Sequence, residues 1–258
     1  MATTALNWEF SGATDTGRVR PGNEDTISWD EALGLAILAD GMGGYHGGEV
    51  ASNLAVTAVL ETFREPLAEH WREEEWAMEV SEPVLRLYAA VSQANQAVYE
   101  AALNQPEYEG MGTTLLATYF HDDRVTLAHI GDSRIYLWRN NNLTQLTVDH
   151  TLIQEQIERG EITPEQAVFS ADKSVLTRAL GVDPVVEVDM RELTTQAGDI
   201  FLLCSDGCYD MLGFDEIAAI LDDYHGDLDL LAHQLVQRAN ENGGYDNIST
   251  VVARVLRG

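Results

Sequence analysis

Lysine is nearly absent from this chain: Lys173 is the only one among 258 residues. With 15 basic against 43 acidic side chains, the formal net charge is −28. Such a field repels nucleic-acid phosphates and anionic membrane surfaces, and neither is an expected partner. It also opposes any phosphorylated substrate, unless bound divalent cations reverse it locally. Cysteine is scarce as well. Cys204 and Cys208 stand four apart, a spacing that matches neither a zinc site nor a redox pair. Cys204 ends an apolar run and reads as a small core residue, so a reduced, cytoplasmic setting is the expectation. No apolar stretch nears the roughly 20 residues of a membrane span. The opening MATTALNWEF has neither the basic nor the apolar segment of a secretory leader.

Several chemical signatures are missing too. There is no HExxH and no EF-hand loop. No Gly-Lys-Ser/Thr exists to cradle nucleotide phosphates, and His46 stands where GxGxxG needs its third glycine after Gly41 and Gly43. Without GxSxG, a Ser/His/Asp hydrolase has no anchor.

What is present is a globular chain, 45% hydrophobic and 22% charged, with no internal repeat or low-complexity linker. One domain spanning residues 1–258 is expected. Residues 8–14, 25–29 and 34–40 read as strands, the last (GLAILAD) as a buried one. After Glu49, Val50, Leu54, Val59 and Phe63 recur at helical spacing. Residues 65–81 are Glu-rich, contain Pro66 and read as a loop with a helical turn; Trp71 and Trp76 there either form a partner surface or pack the connection onto the body. A second helix follows over about 82–104. TTLLATYF, RVTLAHIG and SRIYLWRN, separated by HDD and GDS, predict a three-strand meander. Strands at 185–190 and 199–205, helices near 214–222 and 226–242, and a closing strand NISTVVARV complete the reading. The class is α+β, with sheets inside and helices outside.

One design recurs: an apolar strand, an Asp, then a small or polar residue. It appears as LAILADG (Asp40), LAHIGDS (Asp132) and FLLCSDG (Asp206), and GGYDN places Asp246 just before the final strand. A single Asp-Gly after a strand is only a turn. Four are a pattern, because strand ends in a sandwich converge on one edge. Converging carboxylates repel each other unless cations sit between them, and oxygen-only ligands favour Mg2+ or Mn2+ over zinc. TGRVRPGNED adds Arg20 five residues before Asp25, which alone is an arginine in a turn.

Eight ordered segments then carry a resemblance: RPGNED (20–25), ADGMGG (39–44), MGTTL (111–115), HIGDSRIYL (129–137), DHT (149–151), LTRALG (176–181), LCSDG (203–207) and GGYDNIST (243–250). Together they resemble the metal-dependent serine/threonine protein phosphatases of the PPM family (type 2C), bacterial type, over nearly the whole chain. The resemblance implies a central antiparallel β-sandwich flanked by pairs of antiparallel helices, with a flap of about residues 150–175 beside the metal site. By matching position, Asp40 bridges two metals, the Gly41 carbonyl binds the second, and Asp206 and Asp246 complete the first. Asp132 with Asp206 matches a third, weaker site. Glu24 and Asp25 match carboxylates that hold metal-bound waters, and Arg20 matches the arginine that grips the substrate phosphate. The implied cofactors are Mg2+ or Mn2+. The implied reaction is hydrolysis of phosphoserine or phosphothreonine monoesters on a phosphorylated protein by a metal-bridging hydroxide, by a monomer acting in bacterial signalling.

Two departures stand out. Eukaryotic relatives carry a His after the Asp-Gly, as acid for the leaving alkoxide; here it is Met42, and a metal-bound water or His46 are the candidates for that proton. The flap reads Ser170-Ala171 where many bacterial members have His-Pro, and Lys173 lies beside it. Gly41 is expected to occupy a turn that other residues would strain. The alternatives are a catalytically weak PPM-fold binding regulator (a pseudophosphatase), in which a metal aspartate is usually lost, and a hydrolase of small phosphate esters or an acidic cation-binding protein.

Overall fold

Leu35, Ile37 and Ala39 alternate with Ala36 and Leu38, and all five are completely buried. The odd-numbered side chains pack under helices, while the even-numbered ones face a second sheet. This is why the strand β3 (Leu35–Met42) reads as a continuous apolar run: neither face meets water. The computed structural model describes residues 6–44, 46–167, 170 and 174–257, apart from the side chains of Glu75 and Trp76.

One sheet runs β1 (Leu6–Asp15), β11 (Ile248–Arg257), β10 (Ile200–Cys204), β7 (Arg134–Arg139) and β8 (Asn142–Gln145). The other runs β2 (Asp25–Asp30), β3, β5 (Leu115–His121), β6 (Arg124–Ile130) and β9 (Asp189–Thr194), with the short β4 (Gly112–Thr113) on the end of β3. Their pairings are antiparallel. Phe120 anchors the layer between the sheets, edge-on to Phe10 at 5.6 Å and to Phe201 at 5.3 Å. Helices α1 (Gly47–Arg64) and α3 (Glu82–Asn104) cover the β3 sheet. On the other side, α6 (Asp206–Asp222) and α7 (Leu228–Glu241) cover the β11 sheet. The expected α+β sandwich with helix pairs outside is what forms.

Caps in the sequence set several helix starts. The Ser81 hydroxyl accepts the Val84 N–H ahead of α3, and the Asp227 carboxylate accepts the Leu230 N–H ahead of α7. Between α1 and α3, the helix α2 (Glu69–Glu73) and a 3-10 turn at Glu75–Met78 occupy the stretch read as a loop with a helical turn. Trp71 packs edge-on to Tyr88 of α3 at 5.9 Å, the second of the two readings of that connection; the side chain of Trp76 lies outside the described residues. Cys204 and Cys208 are free and buried in the core beneath α6 and α7.

Three expectations need correction, and one strand was not foreseen. β6 and β7 are not neighbours in a meander: β6 pairs with β5 and β9, whereas β7 pairs with β10 and β8. Gly131, at φ +101, turns the chain across the sandwich instead of folding it back. The strand expected at 185–190 lies at Asp189–Thr194, since Val185 is 79% exposed and outside the ladder. α6 begins at Asp206, eight residues early, and bends at Gly213 (φ 68). Strand β8 had no counterpart in the sequence reading.

The flap contains α4 (Leu152–Glu158) and α5 (Pro164–Ala167), and its two ends are stitched together. Leu152 N–H bonds to the Val175 carbonyl, and Thr177 N–H to the His150 carbonyl, both at 2.9 Å. Ala171 and Lys173 lie outside the described residues.

Candidate metal centre

The sandwich brings the aspartates to one edge. Asp40 lies near the end of β3, and Asp25, which opens β2, is its register partner. Asp132 sits in the crossing from β6 to β7, Asp206 opens α6 directly after β10, and Asp246 precedes β11. Asp40, Asp132, Asp206 and Asp246 line one cleft of about 240 Å³ together with Gly41, Glu24 and Arg20. Asp25 is buried behind them. Of the residues singled out from sequence, only His46 stands apart: its ring is 77% exposed, 3.7 Å from Glu49 at the start of α1.

Each carboxylate is held by its backbone. Asp40 donates its N–H to the Thr114 hydroxyl at 3.0 Å, and its carbonyl accepts from Thr114 N–H at 2.9 Å and Thr113 Oγ1 at 2.8 Å. Gly41 is needed for a different reason than expected. It lies in β3 rather than in a strained turn, and a Cβ there would sit 2.0 Å from the Gly48 carbonyl oxygen. Close approach of α1 is what excludes a side chain. Gly207 plays the same part at the other wall, where a Cβ would meet the Asn247 carbonyl oxygen at 2.0 Å. That contact seats Asp206 beside Asp246.

Burial and mutual repulsion dominate the electrostatics. Burial, then Asp25, Asp206, Asp132 and Asp246 in turn, raises the Asp40 carboxyl well above the ordinary carboxylate value. Asp206 is raised by burial and by the charges of Asp132, Asp246 and Asp25. Asp132 is pushed up to about 6, mainly by burial and then by Asp149. Asp25 also rises to about 6; burial outweighs the hydroxyls of Ser249 and Ser205 that favour its charged form. Arg20 Nη2 bonds Asp246 Oδ2 at 2.6 Å, which raises the arginine further. One guanidinium against this many carboxylates leaves the cleft strongly negative.

A divalent cation fits this donor set. All the candidate donors are oxygens, the choice of Mg2+ and Mn2+, and Asp25 Oδ1 is a buried oxygen without a hydrogen-bond partner. A second cluster does not fit. The ligand-type atoms of His129, His150 and Asp189 lie within 4.8 Å of one another. However, His150 Nδ1 accepts the Gly131 N–H at 3.1 Å, so the ring proton belongs on Nε2, which faces Asp189 Oδ2 at 3.2 Å. Arg178 Nη1 already stands 3.0 Å from Asp189. His150 and Asp189 are thus already engaged with Gly131, Arg178 and each other, whereas both ring nitrogens of His129 are buried without a hydrogen-bond partner.

Sequence reasoning missed the groups that hold the site together. Asn247 Oδ1 accepts the Glu24 N–H at 2.8 Å, and its Nδ2 donates to the Thr16 and Gly22 carbonyls, both at 2.9 Å. It fastens the RPGNED loop to the strand that follows Asp246. Ser205 donates to Asp25 Oδ2 at 2.8 Å and accepts the Ser249 N–H at 3.0 Å. Arg134 forks onto Asp149 and stacks over Tyr209, whose hydroxyl donates to the Asp132 carbonyl. The available signal was adjacency: Asn247 follows Asp246 and Ser205 precedes Asp206.

A profile of the family described as Protein phosphatase 2C matches residues 21–245. The chain belongs to the protein phosphatase 2C family. Serine/threonine protein phosphatase PstP of Mycobacterium tuberculosis (strain H37Rv) is 38% identical over 257 residues, covering 99% of this chain and 46% of that protein. The chain therefore spans about half the length of that relative. Serine/threonine phosphatase stp of Listeria welshimeri is 37% identical over 242 residues, 93% of this chain and 92% of its own. Among solved structures, the catalytic domain of PstP in complex with two manganese ions superposes with a TM-score of 0.83 at 37% identity, covering 97% of this chain and 99% of that one. The manganese pair of that 2C relative accords with the oxygen-rich cleft seen here. No helix among the described residues is long and apolar enough to cross a membrane.

Proposed function

We propose that residues 1–258 form one catalytic domain of a metal-dependent phosphoprotein phosphatase. It acts as a cytoplasmic monomer in bacterial signalling and hydrolyses phosphoserine and phosphothreonine monoesters of proteins. The observation that carries this reading is the meeting of Asp40, Asp132, Asp206 and Asp246 with Arg20 in one cleft, where the carboxylates oppose one another's ionisation. Curated relatives named as serine/threonine phosphatases support the substrate class.

Asp40 and the Gly41 carbonyl, with Asp206 and Asp246, would hold two Mg2+ or Mn2+ ions; Asp132 with Asp206 would hold a third. Bound there, the ions supply a water-derived nucleophile at neutral pH and neutralise phosphoryl oxygens. The chain's own residues supply position. Arg20 presents a forked pair of N–H donors at the cleft to a phosphate. Glu24, on the cleft wall, and Asp25, through its unpartnered Oδ1, accept hydrogen bonds from water. Met42 lines the cleft, and its thioether has no proton to give the leaving oxygen; a metal-bound water would be the donor.

The test is phosphate release from phosphopeptides and from aryl phosphates by purified protein with Mn2+ or Mg2+. Turnover of both is expected, with Asp40→Asn reducing it by about 10³-fold or more. No release from either substrate would overturn the enzymatic reading. Turnover confined to aryl phosphates would overturn the protein-substrate reading.

A further inference from the structure

We propose that His150 is a positioning residue: it clamps Gly131 and thereby fixes Asp132 in the metal cleft, tying that carboxylate to the base of the flap. The inference rests on the reading of Asp132 as a metal ligand.

Both polar backbone groups of Gly131 are taken by one residue. The His150 N–H donates to the Gly131 carbonyl at 2.8 Å, and Gly131 donates its own N–H to His150 Nδ1 at 3.1 Å. Gly131 needs this hold, because it sits at φ +101 in the crossing between the two sheets and belongs to neither ladder. It cannot be replaced by a stiffer residue, since a Cβ would sit 2.6 Å from the side chain of Thr114, which itself receives the Asp40 N–H. On the far side of the turn, Tyr209 donates its hydroxyl to the Asp132 carbonyl at 3.1 Å. The backbone is thus gripped on both sides of the Asp132 side chain, by His150 before it and Tyr209 within it.

The imidazole is itself immobilised. It is buried, stacked on His129 with ring centres 4.5 Å apart, and its Nε2 faces Asp189 Oδ2 at 3.2 Å. Its backbone carbonyl accepts the Thr177 N–H, which closes the flap at its root. Any displacement of the flap base therefore moves the group that holds Gly131, and occupancy at Asp132 acts back on the flap by the same amount.

Counting bound Mn2+ by the loss of the free-ion magnetic-resonance signal reads this without turnover. Asp132→Asn should remove the weakest-bound equivalent. His150→Ala should weaken that same equivalent about tenfold, the loss of one hydrogen bond's hold, and leave the tighter ones unchanged. Combining His150→Ala with Asp132→Asn should be no worse than Asp132→Asn alone. His150→Asn places an acceptor near the Nδ1 position and should restore binding, whereas His150→Gln should not. Additive effects in the double variant, or equal Mn2+ affinity in the Asn and Gln variants, would overturn the proposal. Should His150→Ala fail to fold, the Asn and Gln pair still decides. Unchanged Mn2+ binding in Asp132→Asn would overturn the ligand reading and this inference with it. A wild-type protein that binds Mn2+ but releases no phosphate would instead sink the phosphatase reading alone.

Discussion

Removing the cations with EDTA should make this fold less stable as pH rises, the reverse of the usual carboxylate behaviour. Asp25 and Asp132 titrate at about 6 in the folded chain against an ordinary value of 3.8. Between those values the folded state holds more protons than the unfolded chain, so unfolding releases protons and stability falls with rising pH. A rise from 3.8 to about 6 corresponds to roughly 3 kcal/mol for one such group. The groups share one cleft, so the costs overlap and do not add. Asp40 and Asp206 are raised further and extend the loss to higher pH. Thermal or urea unfolding of metal-free protein at about pH 5 and about pH 8 reads the effect directly. Asp132→Asn isolates one group. At about pH 8 it should raise the melting temperature by several degrees, at 2–4 °C per kcal/mol for a domain near this size. At about pH 5, where the unfolded chain has ionised this group and the folded one still holds its proton, roughly half of that gain should remain, and it should vanish only below 3.8. Saturating Mn2+ should remove the pH penalty, adding about 2.7 kcal/mol per site at a hundredfold excess over its Kd and binding only the ionised carboxylates. Metal-free stability that is flat or rises with pH, or an Asp132→Asn effect equal at both pH values, would refute the electrostatic account.

Three further outcomes are expected. Arg20→Ala should raise KM for an aryl phosphate by about 10–100-fold with a smaller change in kcat, since the forked charge-assisted bonds act on the phosphate as bound; steady-state kinetics check it, and an unchanged KM removes Arg20 from phosphate binding. Asn247→Ala deletes three hydrogen bonds at 2.8 and 2.9 Å between the Arg20 loop and the Asp246 segment. It should cost about 2–4 kcal/mol in urea unfolding of metal-free protein, whereas a loss below about 0.5 kcal/mol would show the loop is held elsewhere. His46→Ala should leave the alkaline limb of the pH–rate profile, which reports a general acid, in place, because the ring is 77% exposed beside Glu49 and outside the cleft; a lost limb would restore His46 as the acid.

The parts of this molecule legible from sequence are those whose cause is local. GLAILAD announces β3 because both its faces are buried, and the aspartates stand out because each ends or opens an apolar strand. α6 was half hidden because Gly207 and Gly213 break the helical pattern; the one is required by the Asn247 carbonyl and the other marks a bend. The valines at 185, 186 and 188 imitate a strand, yet the ladder with β6 starts at Asp189. Asn247, Thr114 and His150 were silent because their partners lie far away in the chain, and no periodicity encodes a hydrogen bond across 223 residues.

The misread meander shows why such non-local facts matter to the chemistry. Gly-Asp-Ser after an apolar run is a legitimate hairpin signal. A hairpin would have left Asp132 at the tip of a turn between neighbouring strands of one sheet, with Gly131 hydrogen-bonded within that ladder. Instead β6 ends in the sheet of Asp40, and β7 starts in the sheet flanked by Asp206 and Asp246. Asp132 thus occupies the only short link among β5 to β7 that spans the sandwich edge, and carboxylates from both sheets can face one cleft. The crossing forfeits the backbone pairing a hairpin would have given Gly131. His150 supplies the missing donor and acceptor, so the clamp and the shared cleft are two consequences of the same strand switch.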